Sequence, residues 1–437
     1  MKFTNFAATF AAAAVLMVSA CTPATTTEPT PTTSNVVEIT SDILTNVTWT
    51  ADKVYLLKDF VHVRSGATLT VEPGTIIKGD KVSKASLIIL PGGKISAIGT
   101  AAKPIVFTSN QAAGQRAAGD WGGLILLGKG IVNKAAATVE GEGSLFGGTD
   151  NTDNSGTLKF VRIEFAGIAF EPDKEINGLT LGGVGSGTTI DYVQVSYSGD
   201  DSFEWFGGAV NCKHLVSYAG VDDDFDTDNG FSGNVQYGVA LRDPAIADLC
   251  TCSSSNGFES DNDGAGTTAT PQTTANFANM SVYMAPGAVN AKFNDGALIR
   301  RNSAMSLYNS VIVANYPKAG LELNGTASQT NFVSDLIKLQ GIVLAEMGTK
   351  TLTTDARFAD AASKNYTAWS LSDLKLDANY NVLKAPKFLP TAASPLLVAA
   401  NAATLPTAFE ATNYIGAFNT SDWTATWTNF DPQNTKY

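Results

Sequence analysis

Residues 190–226 read IDYVQVSYSGDDSFEWFGGAVNCKHLVSYAGVDDDFD, and what repeats inside them decides the fold. Two apolar runs, 190–197 and 213–218, are each followed by an acidic turn and a phenylalanine. Asp201-Ser202-Phe203-Glu204 returns 22 residues later as Asp223-Asp224-Phe225-Asp226. Val193 and Leu215 are also 22 apart, as are Leu215 and Tyr237, a period within the solenoid range. A coil that buries its inward side chains against the next coil produces this kind of return.

The same unit extends in both directions. Short apolar runs at 68–71, 86–90, 104–108, 123–127, 158–165 and 235–241 are bounded by Gly, Asn and Asp, and each reads as a strand of four to eight residues. A sandwich or propeller also has short strands, but a sandwich places Asn-Gly turns between strands two residues apart. Here the Asn-Gly pairs at 177, 229, 256 and 324 sit beside acidic or aromatic residues instead. The expected architecture is all-β, a right-handed parallel β-helix (solenoid) over 37–330, its hand set by the crossover preference.

Residues 331–437 read as a partly helical C-terminal elaboration. Phe332, Leu336, Leu339, Ile342, Val343 and Met347 fall at helical spacing across 331–347 despite Gly341. Segments 356–363 and 370–376 add short helices, and 394–397 and 414–418 return to strand. A solenoid needs its open end covered, so this region is expected to be a cap that Trp423 and Trp427 close, with a partner-docking site as the alternative. The Gly-Gly pairs at 182 and 207 and Gly185-Ser-Gly187 precede no Lys-Ser/Thr and no helix, so they read as turns between coils and not as a phosphate cradle.

The chain carries 41 acids against 29 bases, a formal charge of -12, which excludes nucleic acid as a partner and favours cations or neutral ligands. Acids concentrate in 199–263. With Phe203, Phe225 and Phe258 turned inward by period-two alternation, Glu204, Asp226 and Glu259 turn outward and form a row across stacked coils. Adjacent strands are about 4.8 Å apart, where two like charges repel by about 1 kcal/mol in water and about 3–4 kcal/mol at an effective dielectric of 20. The candidate metal ligands are Asp200, Asp201, Glu204, Asp222, Asp223, Asp224, Asp226, Asp228, Glu259, Asp261 and Asp263. Hard oxygen donors point to calcium, and with only His62 and His214 an imidazole-rich site is excluded. Solvated turn chemistry is the competing explanation for the same residues.

Two catalytic readings stand beside these. A polysaccharide lyase needs calcium on clustered carboxylates plus an Arg or Lys base, which Lys213, Arg242, Arg300 or Arg301 would supply. A glycoside hydrolase needs two or three carboxylates at fixed separation, for which Glu204, Asp224, Asp226 and Glu259 are candidates. The bland role of those basic residues is to quiet the acidic rows as ion pairs. Phe206, of outward parity, and Phe231 are candidates for a ligand surface, whereas Trp205 shares the inward parity of Phe203.

At the other end of the chain, Val18-Ser19-Ala20-Cys21 is a lipobox after Lys2 and the apolar run 6–18, so residues 1–20 read as a lipoprotein signal peptide and Cys21 as the lipidated residue. Residues 21–36 form a Thr/Pro-rich tether. Cys212, Cys250 and Cys252 are the remaining thiols, and a bridge from Cys212 to Cys250 or Cys252 competes with buried free cysteines.

The blocks VEPGTIIKG (71–79), LIILPGGKISAIGT (87–100), PIVFTS (104–109), WGGLILLG (121–128), DDSFEWFGG (200–208), VDDDFD (221–226) and DWTATWTNFDPQ (422–433) together resemble Bacteroidota-type envelope lipoproteins and secreted proteins with a right-handed parallel β-helix. That resemblance implies fold and compartment, a lipid-anchored protein of the bacterial outer membrane on its cell-surface or periplasmic face, and carries no settled activity. The resulting expectation is a calcium-stabilised binding or accessory module that presents an acidic face to a glycan or an outer-membrane protein partner. A lyase or hydrolase acting on extracellular glycans, and an accessory lipoprotein of an uptake system, are the alternatives.

Overall fold

The computed structural model describes residues 35–437 apart from 140–141, 172–173, 249, 251–252 and 354. The signal peptide, Cys21 and nearly all of the tether therefore lie outside the described residues, as does Cys252. What is described is a parallel β-helix. A sixteen-stranded and a nine-stranded sheet run alongside each other, built from parallel pairs between successive coils. Expected and observed strands agree closely: Thr68–Val71, Ile105–Ser109, Gly123–Leu127, Gly156–Glu164, Thr189–Ser196, Asn211–Tyr218 and Asn234–Arg242.

The long strands of the larger sheet each contain one non-glycine residue in the left-handed region, at Phe160, Tyr192, His214, Tyr237 and Asn279. That residue divides the strand into two halves. In the coil before, the halves are separate strands, Lys94–Ile98 and Ile105–Ser109, and both pair with Gly156–Glu164. Each coil therefore has three sides, two from the larger sheet and one from the smaller. Val193 pairs with Leu215 as the 22-residue period requires, but Leu215 pairs with Gly238 and not with Tyr237. One extra residue enters the turn after Asp228, so this coil is one longer.

Inside, period-two alternation stacks like on like. Phe203, Phe225 and Phe258 are fully buried, in register, with ring centroids 5.8 and 5.2 Å apart. Each such ring is stabilising by about 1.5–3 kcal/mol from burial alone. Trp205 packs in the same core against Phe231 at 5.5 Å. Cys212 is a buried free thiol, so it makes no bridge to Cys250, which is disulfide-bonded.

The C-terminal region departs from the sequence reading. Helix occupies Gly325–Val333, and 331–347 instead supplies two more strands, Leu339–Gln340 and Val343–Ala345, which extend the stack in parallel. Gly341 holds φ 72, and a Cβ there would come within 2.2 Å of the Asn309 side chain, so the residue that weakened the helix is the kink of a coil. Leu336, expected in a helical core, is 54% exposed. The short elements at Ala356–Ala359, Ala361–Ser363 and Leu371–Leu374 are present, whereas 394–397 is a 3-10 turn and 414–418 forms no strand. Phe332 and Phe358 join the interior core.

Most of the elaboration covers a flank, not an end. Tyr380, Phe388, Leu396, Ile415, Phe418 and Trp427 pack on the outward residues Val216, Val239, Leu241, Tyr283 and Val311 of the larger sheet. Outward amides fix its course: Gln194 both accepts from the Asn429 N–H and donates to its carbonyl, each at 2.8 Å, while Gln236 does the same with Glu410 and Asn309 with Ala403. Trp423 and Trp427 rest edge-on against Tyr192. No helix among the described residues is long and apolar enough to cross a membrane.

Candidate functional site

The acidic row is real and lies in register. On the smaller sheet Thr180, Glu204, Asp226 and Glu259 stand opposite one another on Leu179–Gly182, Phe203–Phe206, Phe225–Asp228 and Phe258–Ser260. One coil side therefore forces three carboxylates onto adjacent strands, because the phenylalanines next to them take the interior. Around the corner, side chains bridge coils: the Asp223 N–H donates to Asp201 Oδ1 at 2.8 Å, the Asn256 N–H to Asp223 Oδ1, and the Asp295 N–H to Asn256 Oδ1 at 2.9 Å. This corner ladder locks the register that the carboxylate row depends on.

The row is not a solvated face. It floors a pit of about 220 Å³ lined by Asp200, Asp201, Glu204, Asp226, Asp228, Glu259 and Asp261, with Arg300 and Arg301 at one side and Val139, Ile176 and Phe206 as the apolar wall. Ile176 leads into Leu179–Gly182 and Phe206 ends Phe203–Phe206, while Val139 comes from the long connection after Gly123–Leu127. Its Phe146 tilts against Phe206 at 6.3 Å, and its backbone crosses the coils at glycines: Gly130 donates to the Gly183 carbonyl at 2.7 Å and Gly208 to the Ile131 carbonyl at 2.8 Å. A Cβ on Gly207, at φ +67, would meet Val132 at 2.4 Å. The Gly-Gly pairs thus seat this connection as well as turning the coil. His62 holds its other side, with Nδ1 2.8 Å from Asp42 and Nε2 2.9 Å from Glu142.

Electrostatics follow from burial. Desolvation first, and then Asp200, Asp223 and other acids beside it, push Asp201 well above the usual carboxylate range; desolvation and then Asp222 and Glu259 do the same to Asp223. Asp226 is likewise raised by burial and by Glu259, Asp261 and Asp228. Burial lifts Glu259 to about 8 against the pull of Arg300, Asp228 to about 7 and Asp222 to about 6. Three triads bring carboxylate oxygens within 4.8 Å of one another: Asp200–Asp201–Asp222, Asp201–Glu204–Asp226 and Asp223–Asp226–Glu259. These buried clusters can hold a metal ion, and all their donors are oxygens. Asn177, 3% exposed, lines the pit, donates its amide to Glu204, and leaves its Oδ1 without a hydrogen-bond partner.

Several sequence candidates fall elsewhere. Arg242 is fully buried, ion-paired to Asp224 at 3.0 Å and donating to the Asp222 carbonyl, so neither it nor Asp224 reaches the pit. Phe231 is a core residue with no exposed ring, and only Phe206 remains of the proposed ligand surface. Asp263 closes its own loop with Thr267 and the Ala265 N–H. Lys213 pairs with Glu410 on the opposite flank. Arg300 holds Glu259 and Asp261, and Arg301 holds Asp261 at 2.6 Å, the quieting role expected of them. The sequence marks Asn177 and Asn256 only as members of Asn-Gly pairs, each immediately before a strand of this sheet, and gives neither a place at the site.

A protein-family model described as a pectate-lyase like beta helix domain matches residues 41–428. No curated protein matches. Among solved structures, the chain is similar to that of pectate lyase Pel9A, at 12% identity and a TM-score of 0.39, over 85% of this chain and 88% of the other. It is also similar to the Dettilon tailspike protein, at 9% identity and a TM-score of 0.31, over 73% and 63%.

Proposed function

The chain belongs to the pectate-lyase-like β-helix domain family, and from that membership and the carboxylate pit we propose a calcium-dependent, glycan-binding module of the cell envelope, tethered through a lipid on Cys21. The observation that carries this reading is the in-register row Glu204, Asp226 and Glu259, three carboxylates on adjacent strands that line one pit. Oxygen donors alone, with a neutral amide oxygen at Asn177, match calcium and not zinc. A bound ion would be held by Asp201, Glu204, Asp226 and Glu259, and would leave positive charge at the pit mouth for sugar hydroxyls or a uronate carboxylate. Phe206 supplies the apolar edge on which a sugar ring rests.

Binding is favoured over lysis on one specific ground. A lyase needs a free base beside the ion, and Arg300 and Arg301, the basic side chains that line the pit, are both engaged by carboxylates. The lipobox supports the anchor, and the Thr/Pro segment after it gives the module reach from a bilayer. The test is a panel of acidic and neutral glycans presented to the protein in calcium and in chelator. Retention of an acidic glycan in calcium alone supports the reading. Equal retention in both buffers, or release of unsaturated products, overturns it.

A further inference from the structure

The last rung of the stack carries a second concavity, and we propose that it binds one ring of a neutral glycan, without calcium and apart from the carboxylate pit. Its volume is about 230 Å³, and Phe358, Asn365, Tyr366, Thr367 and Trp369 line it. No charged side chain among the described residues does so. The pit owes its character to acids and two arginines, whereas this site has no carboxylate to hold an ion and no cation to meet a uronate.

Backbone bonds fix the site in place. The Ile342 N–H donates to Asn365 Oδ1 at 2.9 Å, the Tyr366 N–H to the Ile342 carbonyl at 2.7 Å and the Leu344 N–H to the Tyr366 carbonyl at 3.0 Å, so Tyr366 adds one more parallel rung beside Val343. Asn365 also donates to the Leu339 and Phe358 carbonyls, each at 2.9 Å, which uses both of its amide hydrogens. On this frame Tyr366 and Trp369 stack with ring centroids 4.0 Å apart and planes 7° from parallel, and Tyr366 Oη donates to the Asn401 carbonyl at 3.2 Å. The two rings form a block that is set before any ligand arrives, which lowers the cost of binding.

The chemistry left over selects the ligand. Tyr366 covers one face of the half-buried indole, and the proposal seats the sugar against the other. Neither the Trp369 indole N–H nor the Thr367 hydroxyl has a hydrogen-bond partner among the described residues, so aromatic surface and unspent polar groups stand together in one uncharged concavity. A pyranose matches both, with an apolar C–H face for the ring and a rim of hydroxyls for the polar groups. A wholly apolar ligand would close over those groups and leave them unmet. The volume lies below the roughly 300–1,000 Å³ of sites for larger ligands, which suits a single ring.

Isothermal titration calorimetry of the purified full-length protein in chelator, with cellohexaose, mannohexaose and xylohexaose as probes, tests this. At least one of the three is expected to bind. Trp369→Ala should weaken that binding by about tenfold or more, and Thr367→Val, which keeps the shape and removes the hydroxyl, by about two- to tenfold. Circular dichroism checks each fold, and Trp369→Phe, which keeps a ring and removes the N–H, should also weaken binding where the alanine variant does not fold. Binding of none of the probes in chelator, or binding as in wild type by the Trp369 variants, overturns the proposal. Retention of an acidic glycan in calcium, read on the same samples, should be unchanged in Trp369→Ala. Its loss in that variant overturns the separation of the two sites, and its absence from wild type overturns the pit reading alone.

Discussion

Glu204 and Asp226 face each other directly across two parallel strands, in the same register that stacks Phe203 on Phe225 on the other side of the same backbone. The aromatic stack inside therefore enforces the like-charge contact outside. A fold that gains a few kcal/mol from the rings is obliged to tolerate about 3–4 kcal/mol of repulsion at this separation unless a counter-ion is present.

Neutralising one member should expose that opposition. In chelator, Asp226→Asn is expected to be more stable than wild type by about 1 kcal/mol, since a buried like charge is removed. In millimolar calcium the order should reverse, because the variant loses a ligand shared by two triads. Denaturant unfolding in the two buffers measures both signs.

Protons and calcium should compete for the pit. Glu259, Asp228 and Asp222 have folded values raised to about 8, 7 and 6, above their ordinary 4.5 and 3.8. A raised folded value contributes stability that is complete below the unfolded value and lost as pH rises through the folded one. The metal-free protein is thus expected to lose stability from about pH 4 to pH 8, and calcium to flatten the slope. Melting curves at a series of pH values with and without calcium check this.

The His62 latch should show a window of its own. Its partners hold the imidazole above 6.5, with Glu142 the largest contribution, while Asp42 and Glu142 are lowered from 3.8 and 4.5 by bonds to His62, and Arg64 also bonds Asp42. The imidazole's contribution is complete below about pH 6.5 and lost as pH rises through its raised value. The carboxylates' contributions are present above about pH 4.5 and lost as pH falls. Protection from hydrogen exchange around Phe146, relative to the intrinsic rate at each pH, is expected to be greatest between about pH 5 and 6.5, and to lose that maximum in His62→Gln.

Packing and site should separate cleanly by parity. Phe225→Ala removes a fully buried ring and is expected to cost about 3–5 kcal/mol. Phe206→Ala, on the pit wall, should cost much less while weakening glycan retention. Gly207→Ala, at φ +67 and 2.4 Å from Val132, is expected to cost about 1–3 kcal/mol and to lift the wall, read as faster exchange near Val132.

Much of this was legible in the sequence, because the coil repeats both its inward phenylalanine and its outward acid. Glu204, Asp226 and Glu259 were placed in a row by parity alone. Depth was not legible: Val139 of the apolar wall comes from a connection far away in the chain, and no local pattern says that it lies over the acids. Nor was the fate of Arg242, buried against Asp224, or of Phe231, packed on Trp205. The stretch 331–347 misled for a physical reason. The end of a helix at Val333, a turn to Ile337 and two strands kinked at Gly341 together space apolar residues much as one helix does.

The central claim, that this pit is a cation site, is tested most directly by an anomalous difference map from crystals grown in millimolar calcium. Peaks are expected among Glu204, Asp226 and Glu259, with oxygen distances of about 2.3–2.6 Å. A map with ordered carboxylates and only water or a lysine from a neighbouring molecule between them would contradict it.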